Sequence, residues 1–213
     1  RDRSYHGSTH LAMALSGDTR TRAMVDPDAM GVTHVEPPSA YRCPFGSRNA
    51  AACGELAAEA IGQRIDLFGV DRVAAVVVEP NAGSNGIVAP DSYWPAVRRS
   101  TLQRGIPLIA DEVMSGFGRC GEWFAWQRHG DAGRPDVMTL AKGLTGAMMP
   151  LGAVVISREI AARLANQGLV TGLTYCGHPL SCAAGAAAID AYRDEALIER
   201  SRHLGAGLER ELC

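Results

Sequence analysis

Apolar positions along the chain follow two periods that alternate. Residues 50–68 place Leu56, Ala60, Ile61, Ile65 and Phe68 at helical spacing and predict an amphipathic helix. Val73 to Val78 is then apolar at every position, which suits a central strand covered on both faces. Glu79-Pro80 ends it, because proline has no amide for the ladder. A helix follows over 91–104, with Asp91 as its cap and Gly105 as its stop. Pro107 to Ala110 reads as a second buried strand ending at Asp111-Glu112, and Asp136 to Ala141 as a third ending at Lys142-Gly143. Gly152 to Ile156 is a fourth strand, and Arg158 to Gln167 a helix. A glycine-containing loop spans 174–179, and one long alanine-rich helix starts near Leu180. Nearer the start, residues 8–16 predict a short helix capped by Ser8 and closed by Gly17, and 26–49 reads as a surface segment. Alternating strands and helices without repeats or a linker predict one α/β unit, with helices on both faces of a mostly parallel sheet.

Composition narrows the function classes. The 213 residues are 46% hydrophobic with a formal net charge of −2, a mix that buries a core and excludes a strongly basic nucleic-acid binder. No run of about 18 apolar residues occurs, so no transmembrane helix is expected. The six cysteines form no C-x-x-C pair and no zinc-type cluster, and read as reduced thiols of a cytoplasmic protein. The chain starts at Arg1 without a signal-peptide pattern and stops inside a helical pattern at Cys213, so a fragment of a longer protein is expected.

Chemistry concentrates at the strand ends. Ligands of open α/β sheets bind beyond the carboxyl ends of the strands, and three successive strands here end in Glu79, Asp111 and Lys142. A lone charge there is usually a surface residue. Two acids and a lysine together point to Schiff-base chemistry, with Lys142 as the nucleophile. A carboxylate such as Asp111 is what a pyridinium nitrogen needs to stay protonated. Spacing alone leaves this open.

The run Ile109-Ala110-Asp111-Glu112-Val113-Met114-Ser115-Gly116-Phe117-Gly118-Arg119-Cys120-Gly121 resembles the Asp-Glu-Val signature of class III aminotransferases, fold-type-I pyridoxal-phosphate enzymes. Pro135 to Leu144 resembles their lysine motif. Tyr5 to Thr9, Glu79-Pro80, Pro90 to Trp94 and Thr174 to Pro179 are similar to further family motifs, in the family's order. The resemblance covers essentially the whole chain. It implies pyridoxal 5'-phosphate carried on Lys142, which also moves the substrate proton. It implies Asp111 at the pyridinium nitrogen, Val113 and Tyr5 on the two ring faces, and Glu79 as an anchor. Thr174 would reach the cofactor phosphate of a neighbouring subunit in a homodimer. The implied unit is part of a cofactor-binding large domain over 1–213, with 186–213 leading toward a small domain. The upstream phosphate loop and the small domain would lie outside the chain, so residues 1–213 alone are expected to be inactive.

Other residues read more plainly. His6 orients its loop, His178 packs a loop, Glu112 pairs with Arg119, and Trp123, Phe124 and Trp126 are core rather than a substrate cage. Gly116 and Gly118 serve a turn, and Gly83 and Gly86 make no phosphate cradle by themselves. In ornithine- and 4-aminobutyrate-type members a glutamate stands five residues after the Glu-Pro glutamate; this chain has Ser84 there. The departure favours the ω-amine or ω-amino acid:pyruvate branch, of taurine or β-alanine type. The expected reaction transfers an amino group from a primary amine or ω-amino acid to a 2-oxo acid, pyruvate before 2-oxoglutarate. The alternatives are an aminomutase of the same fold and an inactive truncated homologue. Neither nucleic acid nor membrane is an expected partner.

Overall fold

The computed structural model describes residues 1–169 and 171–212. Four strands form one sheet in chain order: β1 (Val76–Val78), β2 (Leu108–Asp111), β3 (Val137–Leu140) and β4 (Ala153–Ile156). β1, β2 and β3 run parallel, and β4 is antiparallel to β3. Seven helices surround the sheet among the described residues: α1 (His10–Leu15), α2 (Thr19–Arg22), α3 (Ala50–Phe68), α4 (Tyr93–Gln103), α5 (Arg158–Ala165), α6 (Pro179–Asp194) and α7 (Leu197–Leu212). The architecture is the expected mostly parallel α/β arrangement, and no described helix is long and apolar enough to cross a membrane.

The core lies where α3 and α4 cover the sheet. Ala57, Ile61 and Ile65 of α3 meet Trp94 and Val97 of α4 over Val78, Leu108 and Ala110. A second cluster joins Phe117, Leu140 and Leu144 to Ile189 and Tyr192 of α6. Strand alternation sends Asp111 to the face opposite Leu108 and Ala110. One carboxylate fixes the register. Asp136 accepts Nη1 and Nη2 of Arg98 at 2.6 and 3.1 Å and the Leu108 amide at 2.8 Å. Its amide donates to Leu108 O at 2.9 Å, and its carbonyl accepts from the Ser157 amide at 2.8 Å. The starts of β2 and β3, the end of β4 and helix α4 thus share one residue.

Several boundaries differ from expectation. Only Val76–Val78 of the apolar run pairs with β2, and the ladder starts where the Val76 amide donates to Pro107 O at 3.0 Å, a residue that has no amide to give back. Thr9 rather than Ser8 precedes α1, and Ser8 Oγ lies 2.9 Å from Tyr5 Oη instead. Ser92 precedes α4, while Asp91 is exposed and faces Arg128 at 3.7 Å. The alanine-rich helix breaks at Glu195-Ala196, where Ala196 takes φ +50°, and continues as α7. Five cysteines are free thiols, and Cys213 lies outside the described residues.

Gly54 sets the closeness of α3 to α4. A Cβ there would stand 2.3 Å from Ser92 Oγ, itself bonded to Ala51 O at 2.7 Å, and 3.0 Å from the Tyr93 amide. Gly54→Ala should destabilise the fold by about 1–3 kcal/mol through overpacking. That outweighs the gain of about 1 kcal/mol in helix propensity. Thermal unfolding followed by circular dichroism checks the sign.

Candidate active site

The parallel ladder brings the chemistry together. Pairing of Val78 with Ala110 and of Asp111 with Thr139 sets Glu79, Asp111 and the approach to Lys142 at one end of the sheet. Glu79 is 3% exposed and Asp111 7% exposed. Buried carboxyls need partners, and the first six residues of the chain supply them. Arg1 Nη2 donates to Glu79 Oε2 at 3.2 Å, and the Tyr5 amide to Oε1 at 3.4 Å. Burial still pushes the Glu79 carboxyl above its usual range, against the pull of Arg1 and His6.

Asp111 is held on both oxygens. His6 Nδ1 lies 2.7 Å from Oδ2, and the Val113 amide donates to Oδ1 at 3.0 Å. The imidazole is placed in turn by its own amide, which donates to Ser16 Oγ at 2.8 Å at the end of α1. The other ring nitrogen, Nε2, is buried without a partner among the described residues. His6 therefore does more than orient a loop. It partners the carboxylate across 105 positions of sequence, and its place beside Tyr5 was the only sequence signal for that.

Glu112 corrects an expectation. It does not pair with Arg119. Its fully buried carboxyl accepts the Ser115 hydroxyl, the Ala125 amide at 3.1 Å and the Trp126 amide at 3.0 Å. Two amides from a returning loop satisfy it where a flexible surface arginine would have to be desolvated. Burial raises its pKa, and those three hydrogen bonds draw it part of the way back. The turn between is tight: a Cβ on Gly116 would meet Glu112 O at 2.8 Å, and Gly118 adopts φ +85°.

Lys142 follows β3 at φ +42°, in the left-handed region that a side chain rarely adopts. Its neighbours lock the backbone. Tyr192 Oη donates to Gly143 O at 2.9 Å, and a Cβ on Gly143 would come within 2.7 Å of Phe117 Cβ. The lysine side chain itself is exposed. Val113 and Tyr5 are half-buried near Asp111. Thr174 is not brought to this group: it sits in the exposed turn before α6, and no hydrogen bond among the described residues ties it to Asp111 or Lys142. His178 precedes α6, with Nδ1 buried and unpartnered. Trp126 lies in the main core, while Trp123 and Phe124 pack beside Phe117 and Tyr192, so none forms a cage. Ser84 lies exposed in the Ala82–Ile87 strap, where a Cβ on Gly83 would stand 2.9 Å from Met114 Cε.

The family model for class-III aminotransferases matches residues 2–213. The chain belongs to the class III aminotransferase family. It is 41% identical over 199 residues to a putrescine–pyruvate aminotransferase of Pseudomonas aeruginosa, covering 92% of this chain and 43% of that protein. It is 40% identical to a diaminobutyrate–2-oxoglutarate aminotransferase of Rhizobium meliloti, covering 97% of this chain and 44% of that protein. A solved (S)-enantioselective omega-transaminase from Thermomicrobium roseum superposes with a TM-score of 0.91 at 35% identity, over 99% of this chain and 47% of the other. This aminotransferase chain thus has the fold-type-I transaminase architecture and spans about half the length of the relatives it matches.

Glu112 offers a test of the site's support. Glutamine keeps the shape of the side chain but turns an NH2 toward a donor, so Glu112→Gln should cost about 1–3 kcal/mol. The folded carboxyl titrates above 4.5, the value of an unburied glutamate. Its contribution is full below that value and is lost as pH rises through the folded pKa. Urea midpoints taken across this window should fall with pH in the parent, and fall less in Glu112→Gln.

Proposed function

We propose that the chain carries the cofactor-binding half of an aminotransferase that moves an amino group from a primary amine or ω-amino acid to a 2-oxo acid. One observation carries the reading: a buried carboxylate, Asp111, oriented by His6 and Val113, stands at the end of one strand while Lys142 follows the end of the next. The cofactor is pyridoxal 5'-phosphate, and an amine transaminase of similar structure has been solved with it bound. The residues fit the group. A carboxylate fixed on both oxygens has the charge to keep a ring nitrogen protonated, and an exposed lysine on a clamped backbone has the reach to form a covalent link. When bound, the cofactor draws electrons from the substrate carbon as its hydrogen leaves.

The chain's own residues do the rest. Lys142 Nζ holds the cofactor, then takes and returns the substrate proton. Asp111 holds the ring nitrogen, with His6 keeping the carboxylate in place. Tyr5 and Val113 flank the ring. Glu79 anchors the segment that bears Tyr5 and His6. Residues 1–213 form part of the large domain, with 186–213 leading toward a smaller one. Thr174, exposed in the turn before α6, serves the phosphate site of a partner subunit in a homodimer, and the enzyme works in the cytoplasm.

Borohydride treatment of the cofactor-loaded, full-length protein should fix the cofactor on Lys142 alone, and Lys142→Ala should lose both the yellow colour and all turnover. Label on another lysine after peptide mapping sinks the assignment.

The acceptor reading rests on Ser84. Relatives of nearly equal identity are named for pyruvate and for 2-oxoglutarate, so kinship does not decide between them. A serine has no charge to neutralise a substrate-binding arginine when a monocarboxylate enters. Pyruvate should therefore exceed 2-oxoglutarate in kcat/KM by about tenfold, or about 1.4 kcal/mol. Ser84→Glu should narrow the ratio; equal constants in the parent would reject the pyruvate branch.

A further inference from the structure

Two residues with side chains take a left-handed backbone beside this site, and they meet across one glycine. Lys142 adopts φ +42° and Phe117 φ +56°. Phe117 belongs to the loop after β2, where its amide donates to Trp123 O at 2.6 Å. Gly143 stands against it, since a Cβ on Gly143 would fall 2.7 Å from Phe117 Cβ. The loop thus closes one side of the short turn over 142–144.

Helix α6 closes the other side. Gly185 lets it come near: a Cβ there would meet Leu151 Cδ2 at 2.9 Å and Leu144 O at 3.6 Å. Ile189 and Tyr192, four and seven residues on, continue the same helical face and pack in the cluster of Phe117, Leu140 and Leu144. Two aromatic rings hold the Tyr192 ring. Phe117 stacks on it at 5.8 Å and 29°, and Trp123 meets it edge-on at 5.8 Å. The hydroxyl then has one direction. Its Oη donates to Gly143 O at 2.9 Å, closer than the Gly146 amide, which reaches the same oxygen at 3.3 Å.

We propose that Tyr192 is a positioning residue for Lys142: its hydroxyl on Gly143 O, with Phe117 against the Gly143 Cα, keeps Lys142 in the left-handed conformation that sets the direction of its side chain. This role rests on the reading of Lys142 as the residue that holds the cofactor. Relaxation of Lys142 to an ordinary helical φ of about −63° would turn its Cα–Cβ bond about the N–Cα axis by about 100°. Such a turn requires Gly143 to move. Gly143 is blocked at its Cα by Phe117 and at its carbonyl by Tyr192. The ring of Tyr192 is core packing, and the hydroxyl is the part that reaches the lysine turn.

Apoprotein of the full-length parent, of Tyr192→Phe and of Ile189→Val is mixed with pyridoxal 5'-phosphate, and capture is followed by the growth of the visible absorbance of the lysine-bound cofactor. Borohydride fixing and peptide mapping of the parent come first; Lys142 is the one lysine in the sequence of residues 1–213. Tyr192→Phe keeps both ring contacts and loses the hydroxyl. It should capture the cofactor about tenfold more slowly, and lower kcat by a similar factor with the amine KM within about twofold. Ile189→Val trims the same cluster without reaching Gly143. It should lower the unfolding temperature and leave capture within about twofold of the parent. Gly143→Ala, which disturbs the clamp from the Phe117 side, should slow capture at least as much as Tyr192→Phe. Parental capture in Tyr192→Phe overturns the role, and so does an Ile189→Val protein slowed to the same extent. Borohydride label on another lysine in the parent overturns the reading of Lys142 and this one with it. Label on Lys142 with parental capture in Tyr192→Phe overturns this one alone.

Discussion

Three carboxyl groups, Glu79, Asp111 and Glu112, are buried at one end of a short sheet, and the surrounding chain is arranged around the cost of keeping them there. An unpaired ionised carboxylate in such a place costs more than a small domain's margin of stability. Each group is satisfied differently. Glu79 takes a guanidinium and an amide, Asp111 an imidazole and an amide, and Glu112 two amides and a hydroxyl. Two pieces of irregular chain are fixed by these bonds. The first six residues are tied to the strand ends through Glu79 and Asp111. The loop after β2 returns on itself so that residues 125 and 126 reach Glu112.

That arrangement separates orientation from reactivity. Asp111 has lost its freedom, since both oxygens are engaged and its partner His6 is held through Ser16. Lys142 is the opposite case. Its backbone is strained and clamped, a conformation that costs about 1–3 kcal/mol and persists only where neighbours enforce it. Its side chain stays open. Adjacent strand ends thus carry one side chain bonded on both oxygens and one that is open to solvent.

Much of this was legible in the sequence. The apolar runs before Glu79, Asp111 and Lys142 mark strands, and a charged residue directly after a buried strand has few places to be other than its carboxyl end. The antiparallel β4 had a signal too, because the stretch between Leu140 and Ala153 holds no crossover helix and a parallel return needs one. The contact between His6 and Asp111 was not legible, since it joins residues 105 apart through a loop without periodicity. Glu112 misled because Arg119 is its nearest cation in sequence. Backbone amides are donors that sequence does not display, and in a buried place they displace a charged side chain that would have to shed its water.

The exposed groups complete the picture by contrast. Thr174, Lys142 and the apolar Val154, Val155 and Ile156 of β4 all face solvent, while the three carboxyls do not. A carboxylate must be buried and oriented by the fold before any ligand arrives, because its hydrogen bonds are made by backbone that must already be in place. Burial of a lysine, by contrast, would lower its affinity for protons and fix its direction. The described residues therefore hold three carboxyls in place through their own backbone and leave the Lys142 side chain exposed, as the unequal cost of burying a carboxylate without partners and with them requires.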